Sequence, residues 1–161
     1  MHSDSVFRVW VDADSCPAVI RKIIVKTSIL KSVPVVFVAN RDISSGVDSG
    51  SGSSLFKMVV VGKENGASDD YIFSNAQKGD VAVTRDLPLA KRLLEKEVVV
   101  MNDRGTLFTE RILRGMLEER ALHMQMMSLG LGKEDKSKSF GRREIDSFAE
   151  CFSGEFARRG L

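Results

Sequence analysis

Cysteine and histidine are scarce in this chain of 161 residues, which contains two of each. The two cysteines, Cys16 and Cys151, lie far apart in the sequence, which argues against a fold held together by disulfide bonds. A thiol nucleophile at Cys16 would need a neighbouring base, and His2 and His123 are the only histidines. We therefore interpret Cys16 as a packed residue at the start of a helix.

Long apolar runs and a strong charge of one sign are also absent. No run is long enough to cross a membrane, and the N-terminus lacks the charged start and apolar stretch of a signal peptide. We therefore expect a cytoplasmic protein without a membrane partner. The net charge of +2 is too small to indicate a nucleic-acid partner by itself. The small basic excess lies after residue 103, where it could contact phosphates.

The apolar runs that are present alternate with helical patterns along most of the chain. Buried strands are predicted near 6–11, 34–39, 57–61, 80–84 and 97–101, and the intervening and following segments have helical spacing. This alternation predicts an α/β fold with a mainly parallel five-stranded sheet, a central first strand, helices on both faces and additional C-terminal helices. We expect a single domain over residues 1–161, with a flexible Ser/Gly-rich loop at 42–54 and a linker at 128–141 before a closing helix near 142–158. Methionines of the helix that starts near Thr109 are expected to fill the core.

Two aspartates, Asp12 and Asp14, follow the first strand. Residues i and i+2 of an extended chain point to the same side, so the two carboxylates can converge if the strand conformation persists. Close carboxylates repel each other unless a cation or a proton lies between them, and Mg²⁺ and Mn²⁺ prefer oxygen ligands. The alternative is a polar turn in which an aspartate caps the next helix.

Polar side chains also stand at the ends of the later strands and at one helix start. Because the carboxyl ends of parallel strands line one edge of a sheet, we expect these groups to lie close together. The sequence thus predicts an acidic, cation-binding pocket at this edge, with simple helix capping as the alternative for the helix-start pair. The residues concerned are Asn40, the helix-start pair Asp69 and Asp70, Thr84, Asp86, Asn102 and Asp103.

Two arginines, Arg85 and Arg104, neighbour these strand ends. Their guanidinium groups could stabilise the charge of a bound phosphate. Salt bridges to the same carboxylates are the other interpretation.

Several segments together resemble the YaiI/YqxD family of bacterial proteins, and they occur in the order that this family has. The resemblance covers nearly the whole chain except the loop at 42–54. The segments are Val11-Asp12-Ala13-Asp14-Ser15-Cys16-Pro17, Val38-Ala39-Asn40, Ala67-Ser68-Asp69-Asp70-Tyr71-Ile72, the stretch from Gly79 to Ala90, Asn102-Asp103-Arg104-Gly105, and Gly141-Arg142-Arg143 with Asp146-Ser147-Phe148-Ala149.

The resemblance implies a fold similar to that of PIN-like nucleases, whose acidic edge binds Mg²⁺ or Mn²⁺ and hydrolyses RNA or DNA. It makes Asp12 and Asp86 the expected catalytic carboxylates. The expected metal ligands are Asp12, Asp14, Asp69, Asp70 and Asp86, and the expected binding residues are Asn40, Thr84, Arg85, Asn102 and Arg104. The expected partner is nucleic acid, most plausibly RNA, whose backbone would also contact Lys133, Lys136, Lys138, Arg142 and Arg143.

Two other functions fit the same residues. A protein with a nuclease-like fold can bind nucleic acid or a nucleotide without cleaving it. A phosphatase of the haloacid dehalogenase type would use Asp12 as nucleophile and Asp14 as acid and base, with Thr84 on a later strand. Against it, Cys16 follows this motif where Thr or Val is usual, and the sequence offers no convincing separate lysine motif. A homo-oligomer is compatible with the sequence.

Overall fold

The computed structural model describes residues 7–43, 55–132 and 140–161. The five strands are β1 (Val9–Asp12), β2 (Val35–Ala39), β3 (Phe56–Val60), β4 (Val81–Val83) and β5 (Val99–Met101). The helices are α1 (Ala18–Lys31), α2 (Ala67–Asn75), α3 (Leu87–Glu95), α4 (Glu110–Ser128) and α5 (Arg142–Arg158). Most of the predicted loop at 42–54, and the centre of the predicted linker at 128–141, lie outside the described residues.

The strands form one sheet in the order β3-β2-β1-β4-β5, and all neighbouring pairs are parallel. Val11 of β1 lies between Phe37 of β2 and Val83 of β4. Every residue of β1 and β2 is buried, as their unbroken apolar sequences predict for central parallel strands. The predicted α/β class, the parallel sheet and the central first strand are confirmed, and the arrangement is consistent with a PIN-like fold.

Two apolar layers cover the faces of the sheet. On one face, Val9 and Val11 pack with buried residues of α1 and α5. On the other face, Trp10 packs with residues of α2, α3 and the start of α4. This alternation along β1 follows from the opposite direction of successive side chains in a strand, and it confirms that helices lie on both faces.

The closing helix α5 is fixed by aromatic packing. Phe148, Phe152 and Phe156 are fully buried, and the ring of Phe152 lies 5.3 Å from that of Phe148 and 4.8 Å from that of Phe156. The turn after β5 approaches α5 closely at Gly105, where a side chain would collide with the backbone of Ser147. Gly105 also has a φ of 82°, which favours glycine. The turn and the closing helix are therefore joined without intervening side chains.

Helix α4 departs from the sequence prediction. Of its methionines, Met116 packs against the core, whereas Met124 is 61% exposed and Met126 and Met127 are also exposed. The prediction that these methionines fill the core was wrong, because the second half of α4 extends beyond the sheet that its first half covers. None of the helices in the three described ranges is long and apolar enough to cross a membrane.

Candidate functional site

Asp12 occupies the centre of the sheet edge at which the parallel strands end. β1 ends at this residue, and a short 3-10 turn over Ala13–Ser15 follows, so the extended conformation does not continue to Asp14. Asp12 is buried, and its Oδ2 accepts hydrogen bonds from the hydroxyls of Thr84 at 3.0 Å and Ser15 at 3.2 Å. Burial raises the pKa of Asp12, the nearby carboxylates Asp14 and Asp86 add to the increase, and the two hydroxyls oppose it.

Thr84, just after β4, joins Asp12 to the start of α3. Its hydroxyl donates to Asp12 and accepts the backbone N–H of Asp86 at 3.0 Å. Asp86 is the N-cap of α3, and its Oδ1 accepts the backbone N–H of Leu89 at 2.8 Å. The predicted strand-end pair of Thr84 and Asp86 is thus connected to Asp12 through one hydroxyl group.

The two aspartates at the start of α2 point in different directions. Asp69 lies close to Asp86 and Asp12, and burial, the charge of Asp86, a hydrogen bond between the carboxyl groups of Asp69 and Asp86 and the charge of Asp12 raise its pKa to about 7. Asp70 instead forms an ion pair with Arg92 of α3 at 3.1 Å, and its side chain is 71% exposed. The structure therefore brings Asp69 to the acidic group and leaves Asp70 outside it.

Asp14 lies on the other side of Asp12, toward β2. Its Oδ2 accepts the backbone N–H of Asn40 at 2.8 Å, so it fixes the end of β2 against the turn that follows β1. Asp14 and Asn40 line the same cleft as Asp12 and Asp69, which has a volume of about 300 Å³.

The second wall of this cleft is the loop between β3 and α2, which sequence reasoning missed. Lys63, Glu64 and Asn65 line it, together with the first residues of α2. Gly66, with a φ of 80°, turns the chain into the helix, and no side chain caps the first turn of α2. The glycines at 62 and 66, directly before an acidic helix start, were the available signal. The cleft thus has an acidic floor and a wall that bears one lysine.

Arg85 and Asp103 form an ion pair between the ends of β4 and β5. Arg85 donates from Nε at 2.9 Å and from Nη2 at 2.6 Å to Asp103 Oδ2. The Arg85 side chain is 49% exposed, whereas that of Asp103 is 3% exposed and its Oδ1 has no hydrogen-bond partner among the described residues. The hydrogen bonds with Asp103 raise the pKa of Arg85. The salt-bridge interpretation of Arg85 therefore holds, and about half of its side-chain surface stays open to solvent.

Asn102 stabilises the turn after β5, and Arg104 is part of that turn. Asn102 Oδ1 accepts the backbone N–H groups of Arg104 at 3.0 Å and Thr106 at 2.9 Å, which closes the turn. The guanidinium of Arg104 lies 5.4 Å from the centre of the Phe140 ring. Neither residue is among those that line the cleft. Of the basic residues predicted to contact a nucleic-acid backbone, Lys133, Lys136 and Lys138 lie outside the described residues.

The acidic group has suitable chemistry for a hard cation, but its oxygens are engaged with other donors. Within residues 7–43, 55–132 and 140–161, no three Asp, Glu, His or Cys side chains are arranged to hold a metal ion. One oxygen of Asp14 accepts the backbone N–H of Asn40, and one oxygen of Asp86 accepts that of Leu89. Both side-chain hydrogen bonds that Asp12 accepts fall on Oδ2, so Oδ1 can accept another ligand.

Comparison with known proteins places the chain among bacterial proteins of unassigned activity. The model of a family described as the uncharacterised YaiI/YqxD family matches residues 10–158. A UPF0178 protein of Treponema denticola is 41% identical over 94% of this chain and 92% of its own length. UPF0178 proteins of Syntrophobacter fumaroxidans and Pseudomonas putida are 38% and 32% identical, over 94% of this chain and 95% and 97% of their own lengths. No solved structure gives a significant match.

Proposed function

The chain belongs to the uncharacterised YaiI/YqxD family, and we propose that it is a nuclease that uses Mg²⁺ or Mn²⁺ to hydrolyse phosphodiester bonds, most plausibly in RNA. The observation that supports this proposal best is the grouping of Asp12, Asp69 and Asp86 at the carboxyl edge of the sheet. These carboxylates come from three separate segments of the chain. Their mutual repulsion destabilises the fold. The grouping is therefore best explained by a function that requires several carboxylates at this edge.

The raised pKa of Asp69 supports the choice of a cation as ligand. A carboxylic acid with a pKa of about 7 holds a proton where its ordinary value of 3.8 would leave it ionised. Burial is the largest cause of this shift, and the neighbouring carboxylates of Asp86 and Asp12 add to it, so a positive charge beside Asp69 would be favoured. A divalent cation that prefers oxygen ligands would neutralise the charge of the same carboxylates at neutral pH.

Asp12, through its Oδ1, would hold the ion with Asp69 and Asp86, whose side chains would have to turn toward it, since the three are not arranged as ligands in this structure. Asp14 is available on the β2 side of the cleft. A bound Mg²⁺ or Mn²⁺ supplies Lewis acidity toward a phosphate oxygen and lowers the pKa of a bound water. Asp69 would give up its proton, so binding should be coupled to proton release.

The other residues of the site would position the substrate. Thr84 keeps Asp12 and the start of α3 in a fixed relation. Arg85, which Asp103 holds beside the cleft and not in its lining, has a half-exposed side chain that could neutralise charge growing on a phosphate. Lys63, which lines the cleft, could contact a neighbouring phosphate.

The dimensions of the cleft support a single strand as substrate. A volume of about 300 Å³ is at the lower limit for small-molecule sites and would take about one nucleotide. The described residues that line the cleft include no aromatic ring on which a base could stack. We therefore expect backbone recognition with little sequence preference.

The test is cleavage of single-stranded RNA and DNA oligonucleotides with Mg²⁺, Mn²⁺ or a chelator. Asp12→Asn and Asp69→Asn should each lower the cleavage rate at least ~100-fold while nucleic-acid binding remains. Asp70→Asn is the matched control, because it makes the same change one residue away, in a side chain that pairs with Arg92. Cleavage that persists in chelator, or in Asp12→Asn, would contradict the proposal.

A binding protein without catalysis is the second candidate, and the absence of three metal-holding side chains among the described residues favours it. Wild-type protein that binds oligonucleotides with equal affinity in chelator and in Mn²⁺, and cleaves none, would assign this function. An acyl-phosphate trapped on Asp12 would instead assign a phosphatase of the haloacid dehalogenase type.

A further inference from the structure

The second half of α4 carries apolar side chains that nothing in the described part of the chain covers. Every residue from Glu118 to Gly132 is exposed, including Leu122 at 58%, Met124 at 61% and Met127 at 38%. A helix of a globular protein normally turns its apolar residues toward a core. Contiguous apolar surface of this kind is typical of a contact with another molecule.

The exposed methionines continue a stripe that begins at the base of the helix. At 100° per residue, Leu113, Leu117, Ala121, Met124 and Met127 fall on one side of α4. The first three line an apolar groove of about 380 Å³ beside α3, whose edges carry Lys91, Glu110, Arg114 and Glu118. The last two form an apolar tip beyond the groove. Groove and tip are thus two halves of one helical face.

We propose that two copies of this chain form a dimer in which the α4 helices pair antiparallel, with the tip of each in the groove of the other. A two-fold axis between Ala121 and Met124 places Met124 of one copy opposite the small Ala121 of the other. The same axis brings Met127 next to Leu117. One contact, repeated by symmetry, then covers the tip of each copy and the part of the groove that Leu117 and Ala121 line.

The segments outside the described residues have little apolar surface to offer as cover. The segments outside the described residues, 1–6, 44–54 and 133–139, contain only Met1, Val6 and Val47 as apolar residues. The charges also suit a second copy, because His123 is the only ionisable side chain between Ala121 and Gly132. The tip therefore brings no like charge against the charged edges of the groove.

Paired over Leu117 to Ser128, the helices would be in contact along about 17 Å. This is a small interface, because standard protein interfaces bury about 800 Å² on each partner. We therefore expect a dimer that dissociates on dilution, between about 100 µM and about 1 µM protein.

The experiment measures molar mass against concentration by sedimentation and light scattering. The measured molar mass of the wild type should be 17.8 kDa at low concentration and twice that value at high concentration. Met124→Glu should be monomeric at the highest concentration, since it buries a charge in the groove. Leu122→Glu is the matched control, because Leu122 is equally exposed and lies on the opposite side of α4, and it should dimerise like the wild type. All variants should keep the wild-type circular dichroism spectrum.

A mixing experiment tests the register. Ala121→Lys should also be monomeric, and mixing it with Met124→Glu should restore a dimer, since the new charges then face each other. A monomeric wild type at all concentrations, equal loss of the dimer in Leu122→Glu, or no recovery on mixing would overturn the proposal. So would a monomer that binds anionic lipid vesicles through Met124, because the stripe would then be a membrane contact.

Discussion

Asp69 of α2 lies beside Asp86 at the start of α3, and burial together with this neighbouring carboxyl group raises the pKa of Asp69 to about 7. Each residue also belongs to a helix start, where a carboxylate is favoured by the free N–H groups and the helix dipole. The two helix starts thus bring two acidic groups together next to Asp12. The proposed cation site depends on this arrangement.

The first prediction concerns the pH dependence of stability in chelator. Because the pKa of Asp69 is about 7 in the folded protein and near 3.8 in the unfolded chain, the folded state binds the additional proton between these values. Its contribution to stability is complete below pH ~4 and is lost as the pH rises through ~7. Asp69→Asn should therefore gain stability relative to wild type from pH 5 to pH 8 in urea unfolding.

Asp70→Asn is the control for this comparison, since its side chain is exposed and paired with Arg92. Its stability should follow that of the wild type at each pH. If Asp69→Asn and Asp70→Asn show the same pH dependence, Asp69 does not titrate in this window.

The second prediction concerns divalent cations and the melting temperature. Asp12→Asn should leave the fold intact or slightly more stable in chelator, because it removes repulsion from Asp14 and Asp86. Mn²⁺ at 100 times its Kd should stabilise the wild type by about 2.7 kcal/mol and Asp12→Asn by much less. Equal melting shifts in the two proteins would remove Asp12 from the ligand set.

The third prediction concerns the asymmetric pair of Arg85 and Asp103. Arg85→Ala should cost about 1–3 kcal/mol of unfolding free energy, because it leaves the buried Asp103 carboxylate without its partner. Asp103→Ala should cost less, since Arg85 is half exposed and can turn to solvent. Lys78→Ala, which breaks the exposed pair with Glu97, should stay within ~0.5 kcal/mol. The reverse order for Arg85 and Asp103 would contradict this description of the pair.

The fourth prediction concerns the basic residues near the start of α5. Replacing Lys133, Lys136, Lys138, Arg142 and Arg143 with Gln should weaken RNA binding and lower its salt dependence, by about 0.7 in the log–log slope for each phosphate that is no longer neutralised. The cleavage rate at saturating RNA should not change. Replacing Lys22, Lys26 and Lys31 of α1 with Gln is the charge-removal control, and an equal loss of affinity there would indicate an effect of net charge alone.

The sequence was sufficient to predict the sheet and its acidic edge. Unbroken apolar runs such as Val35–Ala39, separated by helical patterns, require parallel strands with covered faces. Once the sheet is parallel, Asp12, Thr84 and Asp86 must end at one edge. These predictions rest on local patterns and one topological rule.

The details of the site depend on tertiary packing and could not be predicted in the same way. Asp69 and Asp70 are consecutive helical residues about 100° apart, so the rotation of α2 on its buried Ile72 decides which one faces Asp86. The partner of Arg85 depends on the distance between β4 and β5. Likewise, the methionine pattern of α4 is the same whether a core or a second molecule covers it.

The most direct test of the proposed cation site is anomalous diffraction at the manganese edge from crystals soaked in Mn²⁺. We expect a peak in the cleft within ligand distance of Asp12 and Asp69. No peak in the cleft at saturating Mn²⁺, or a peak at Asp70 alone, would contradict the proposal.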